Sequence, residues 1–227
     1  MKNFTSNSRR DFLNTMLLSG AAGGIASLIP ISMANAGNFE NQSLMTNADD
    51  WFKSIKGTHR VVYDGSTPHD GFPIIWNWAF YYSNNSTGSP DGDITAMTVL
   101  RHSAMPFALS SEIWEKYELG AMIGVTDKKT QKPALRNPYY APEAGDMPME
   151  FIQGIKDLQD RGAMFCVCDL ALNVYSGRKA SQIGADPQKV YEEWKAGVLP
   201  GIQIVPSGVW ALERAQKNGC AYIFAGN

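Results

Sequence analysis

Few side chains in this 227-residue sequence carry reactive chemistry, and their spacing is informative. Cysteine occurs at 166, 168 and 220, and histidine at 59, 69 and 102. A thiol works as a nucleophile or sulfur acceptor only where a cation or a helix N-terminus favours the thiolate. Cys168 is the candidate for that role because it closes an apolar run and is followed directly by Asp169. Cys166 and Cys220 read as small core side chains. Residues two apart in a strand have Cα atoms about 7 Å apart, at the edge of disulfide range, so Cys166 and Cys168 do not form an easy bridge. His102 and His69, with Cys168, are donor types that suit a transition metal or haem iron. No H-x-x-x-H or C-x-x-C pair accompanies them, so each imidazole reads first as a hydrogen-bonded structural group. Asp64 and Asp169 are turn-capping carboxylates within reach of a ligand. Ser207 before Gly208 reads as a helix cap, with an anion or cofactor group at that helix start as the functional extension.

Those residues need a scaffold, and the hydrophobic pattern predicts one. Short β-branched runs alternate with helical stretches. Strands are expected at 60–64, 94–101, 163–168, 202–205 and 220–224. Helices are expected at 73–82, 110–117, 149–161, 186–196 and 208–217, with serine or aspartate caps at Ser110, Asp186 and Ser207. Residues 126–148, rich in Pro, Lys, Asn and Gly, read as a long surface loop. This order predicts an α/β domain with three layers, α/β/α, around a mostly parallel five-stranded sheet of flavodoxin-like architecture. Ligands in such sheets bind outside the carboxyl ends of the strands. The tips at Asp64-Gly65, Arg101-His102-Ser103, Cys168-Asp169 and Pro206-Ser207-Gly208 therefore belong on one rim, and His69, in the loop after the first strand, can reach it. The aromatic run from Trp76 to Tyr82 exceeds what one helix face needs, and marks a candidate oligomer interface.

The first 36 residues resemble a twin-arginine export signal. Arg9-Arg10-Asp11-Phe12-Leu13 carries the paired arginines, a mild apolar stretch follows, and Ala34-Asn35-Ala36 is a small-x-small cleavage site. Residues 1–36 are thus expected to be a signal peptide handled by the twin-arginine translocase, 37–57 a polar lead-in, and 58–227 a periplasmic domain. The chain holds 20 basic and 22 acidic side chains; loss of Lys2, Arg9 and Arg10 against Asp11 leaves 17 and 21, a net charge of −4. That balance gives no electrostatic reason to expect nucleic acid as a partner. No second long apolar run exists, so no membrane span is expected in the mature form.

Three segments make the resemblance specific. Val99-Leu100-Arg101-His102-Ser103-Ala104-Met105-Pro106, Gly162-Ala163-Met164-Phe165-Cys166-Val167-Cys168-Asp169 and Pro200-Gly201-Ile202-Gln203-Ile204-Val205-Pro206-Ser207-Gly208 resemble the DsrE-like family, best its exported branch. The likeness runs over roughly residues 59–225. It implies a parallel five-stranded sheet, assembly as a trimer or hexamer, and persulfide sulfur carried on the cysteine that Cys168 matches by position. Three readings of function follow. The first is a sulfur-carrier or sulfurtransferase-like protein using Cys168. The second is a periplasmic metal- or haem-binding protein using His102, with His69 or Cys168. The third is a non-catalytic subunit of an oligomeric assembly.

Overall fold

The computed structural model describes residues 48–227; the expected signal peptide and most of the lead-in lie outside the described residues. Five strands form one parallel sheet: β1 (His59–Gly65), β2 (Ile94–Leu100), β3 (Met164–Cys168), β4 (Ile202–Val205) and β5 (Ala221–Phe224). Their order is β4-β3-β2-β1-β5. β2 and β3 are buried along their whole length, whereas every residue of β5 is exposed, as an edge position allows. Continuous apolar runs are what strands covered on both faces require.

Among the described residues the layers are completed by helices α1 (Phe72–Ser86), α2 (Ser111–Tyr117), α3 (Leu119–Ile123), α4 (Ile155–Asp160), α5 (Asp169–Ile183), α6 (Pro187–Ala196) and α7 (Gly208–Lys217). Two cores follow from the pleat. Val61, Tyr63, Ala96, Phe165 and Val167 pack with side chains of α1–α6, including Ile74, Trp114 and Trp194. Their neighbours Val62, Met97, Val99, Met164 and Cys166 point the other way, onto Ala211, Leu212 and Ala215 of α7 and onto Phe52. The domain is therefore a three-layer α/β/α fold. Among the described residues, no helix is long and apolar enough to cross a membrane.

The layer assignment has a topological consequence. The chain leaves β3 into α5, on one face, and leaves the adjacent β4 into α7, on the other. Neighbouring strands whose connections part to opposite faces leave a crevice at their carboxyl ends.

Two expectations require correction. The helix expected over 149–161 occupies only Ile155–Asp160. A Cβ on Gly154 would lie 2.2 Å from Pro142 Cδ, and the amides of Ile155 and Lys156 donate to the carbonyls of Tyr139 and Tyr140. The preceding residues are thus docked on the long loop instead of coiling. Ser110 stands at the N-cap of α2 without a side-chain cap bond, whereas Asp186 and Ser207 cap α6 and α7 as expected. In the aromatic run Trp78 and Tyr81 are buried, Trp76 and Phe80 are half-buried, and Tyr82, stacked on Trp78, is exposed.

Candidate functional site

Cys168 is the last residue of β3 and the N-cap of the 15-residue α5. Its Sγ accepts the backbone N–H of Ala171 at 3.3 Å. The sulfur therefore sits among the unpaired amides of a long helix start, where partial positive charge accumulates. The thiol is only 6 % exposed, more enclosed than a rim position alone would suggest. Asp169, next in the chain, is in the first turn of α5, and its carboxylate accepts the Tyr191 hydroxyl at 2.7 Å. Burial, reinforced by Asp169, pushes the Tyr191 phenol far up, so it stays a donor.

Just past the end of β2, the strand adjoining β3, stands a residue not singled out from sequence, Arg101. Its Nε and Nη2 donate to Asp64 Oδ1 and Oδ2 at 2.6 and 2.9 Å, and Tyr222 Oη donates to Asp64 Oδ2 at 2.9 Å. The Asp64 carboxylate is almost wholly buried. Asp64 holds the guanidinium charge well in place and raises the Arg101 pKa further; Tyr222 and Cys168 add in the same direction. The role read for Asp64, direct contact with a cofactor, is thus replaced by an internal one: its oxygens are committed to Arg101 and Tyr222. The signal was present in the register, since Asp64 pairs with Val99 and Gly65 with Leu100, bringing the ends of β1 and β2 together.

Gly208 is likewise not an open cradle. A Cβ there would lie 2.6 Å from Arg101 Cβ and 2.7 Å from its Cδ, so the glycine exists to admit the arginine stem. Ser207 Oγ accepts Trp210 N–H at 3.3 Å and is occupied as the cap of α7. The start of α7 is closed on the Arg101 side, and the open helix terminus of the crevice is that of α5.

The histidines are held by different elements. His102 is exposed, has φ 49°, and places its ring edge-on to Tyr175 of α5 at 5.6 Å. Its Nδ1 is 3.4 Å from Ser103 Oγ. His69 packs on Phe72 and Trp76 of α1, and its Nδ1 lies 3.1 Å from the carbonyl of Ala225, just past β5. β3, from which α5 departs, and β5 are separated by three strand spacings, about 14 Å. The expected convergence of the two imidazoles with Cys168 does not occur. Among the described residues, no group of three His, Cys, Asp or Glu side chains is arranged to hold a metal ion.

The other thiols behave as core. Cys166 is fully buried and burial pushes it far up. Cys220 is 5 % exposed, and burial pushes it up to about 11 against a small opposing effect of Arg60. All three cysteines are free.

No protein-family model and no curated protein matches the chain. Among solved structures the chain is similar to a protein of unknown function, MTH1491 from Methanobacterium thermoautotrophicum, at 17 % identity over 74 % of this chain and 99 % of that one, with a TM-score of 0.38.

Proposed function

We propose that this is an exported, DsrE-like sulfur-carrier protein in which Cys168 accepts sulfane sulfur. The observation that carries this reading is the bond from Ala171 N–H to Cys168 Sγ at the start of α5. A backbone amide at the sulfur, a helix terminus behind it and Arg101 at the neighbouring strand tip are the positive partners that a sulfur-carrying cysteine uses. The position between β3 and β4, where the connections part, is where ligands bind in sheets of this kind. The proposed step is nucleophilic. The thiolate attacks the outer sulfur of thiosulfate, a new S–S bond forms, and the old S–S bond breaks with its electron pair leaving on sulfite. The cysteine keeps one extra sulfur, and no external oxidant is needed.

Incubation with thiosulfate is expected to release sulfite with one equivalent per chain, and Cys168→Ser is expected to release none. Release undiminished in Cys168→Ser would remove Cys168 from the reaction. Export through the twin-arginine translocase into the periplasm is part of the same proposal, carried by Arg9-Arg10 and the site at Ala34–Ala36. Self-association as a trimer or hexamer completes it. Tyr222, Ile223 and Phe224 of the edge strand β5 are 40–47 % exposed, an apolar edge that an isolated monomer leaves wet. A monomeric mass by ultracentrifugation contradicts that part alone.

A further inference from the structure

A second cleft, of 310 Å³, opens beyond β1 and β5, lined by His69, Asp70, Lys128 and Tyr139 among others. Its floor is an unusual turn. His69, Asp70 and Gly71 have φ of 39°, 50° and 84°, three consecutive left-handed residues of which only the last is glycine. The two non-glycine members hold backbone that side chains rarely adopt, a strain that recurs at ligand sites. The Tyr139 ring lies against Gly71, where a Cβ would meet its Cε1 at 2.1 Å.

The polar groups are unspent. Tyr139 lines the cleft with 7 % of its surface exposed, and its hydroxyl, bonded by no described residue, is not one of the sealed polar atoms and can meet solvent or a ligand. Burial, with Asp70 and Asp146 adding, pushes this phenol up to about 12, so it remains a neutral hydroxyl able to donate and accept. A carbonyl only accepts, so His69 Nδ1 donates to Ala225 O, and in the neutral ring Nε2 is then the acceptor. Nearby charges are paired: Lys129 with Glu143, and Arg136 with Glu143 and Asp146. Asp70 and Lys128 form no ion pair with each other or with any other described residue. The cleft thus offers an acceptor-rich end and one cation.

We propose that this cleft binds a small zwitterion of amino-acid type, its ammonium on Asp70, His69 Nε2 and Tyr139 Oη, and its carboxylate on Lys128. The volume lies at the small end of ligand pockets and suits a molecule of that size. The site is separate from Cys168 and draws on none of its residues.

Calorimetric titration of the full chain with L-alanine, L-leucine, L-glutamate and L-lysine, each also as the N-acetyl and the C-amide derivative, tests it. At least one free amino acid is expected to bind with a Kd on the order of 1 mM or tighter. N-acetylation is expected to abolish that binding, and Asp70→Asn to weaken it about tenfold, since asparagine tolerates the left-handed backbone. Lys128→Gln weakens the free acid but leaves the C-amide unchanged, and Cys168→Ser changes neither. Absence of saturable heat for every probe overturns the proposal. So does equal binding of acetylated and free forms, or Asp70→Asn binding as tightly as the parent protein.

Discussion

Replacing Arg101 by methionine tests whether the Asp64–Arg101–Tyr222 cluster organises the strand tips. The substitution keeps most of the stem that lies over Gly208 and deletes the guanidinium. Asp64, whose side chain is 3 % exposed, then loses two charge-assisted hydrogen bonds of 2.6 and 2.9 Å and retains only the Tyr222 hydroxyl. Removing one partner of a buried pair strands the other charge and costs about 3–5 kcal/mol. The opposite substitution, Asp64→Asn, strands a guanidinium that is 26 % exposed and can turn toward water, so about 1–3 kcal/mol is expected. The double variant strands no charge and should be less destabilised than the sum of the singles by about 2 kcal/mol. Urea unfolding at constant m gives all three values. A loss below about 1 kcal/mol for Arg101→Met, or additivity within about 0.5 kcal/mol, refutes the reasoning.

Other outcomes follow from neighbouring geometry. Gly208→Ala places a methyl 2.6 Å from Arg101 Cβ and is expected to cost about 1–3 kcal/mol by overpacking, measured by the same unfolding curves. Ser207→Ala removes the acceptor for Trp210 N–H and should cost about 1 kcal/mol, while Ser110→Ala, where no cap bond exists, should cost less. Cys220 has a folded pKa of about 11 against an ordinary value of 9.0, so between those pH values the unfolded chain binds fewer protons. Stability therefore falls as pH rises through that window, by up to about 1.4 kcal/mol per unit from this thiol. Cys220→Ala should make the decline shallower; an unchanged slope contradicts the assignment.

The strands were legible because burial on both faces demands uninterrupted apolar runs, as in Ile94–Leu100 and Met164–Cys168. Caps at Asp186 and Ser207 were legible because a side-chain oxygen before a helix has one favoured task. α5 gave no such signal. Leu170 and Ile183 face solvent, Gly177 and Ser176 interrupt the pattern, and its cap is a cysteine instead of a serine or aspartate. The same feature hid the clearest part of the site. Topology placed Cys168 at a strand tip, but that its sulfur caps a helix follows only from the abrupt passage from β3 into α5. The role of Arg101, beyond its place on a strand tip, is not legible in sequence because it depends on Asp64, 37 residues earlier, and on the space left by Gly208. The histidines misled for the opposite reason: similar positions after β1 and β2 conceal different anchors, Ala225 for one and Tyr175 for the other.

Peptide mass mapping after exposure to thiosulfate, with every free thiol blocked before digestion, tests the central claim most directly. The account predicts one added sulfur atom on the peptide bearing Cys168 and an unmodified, merely blocked Cys220. Cys166, sealed beneath α7, lies on the Cys168 peptide and must be separated from it by fragmentation. An added sulfur on Cys220 or Cys166, or on no cysteine while the fold is intact, contradicts it.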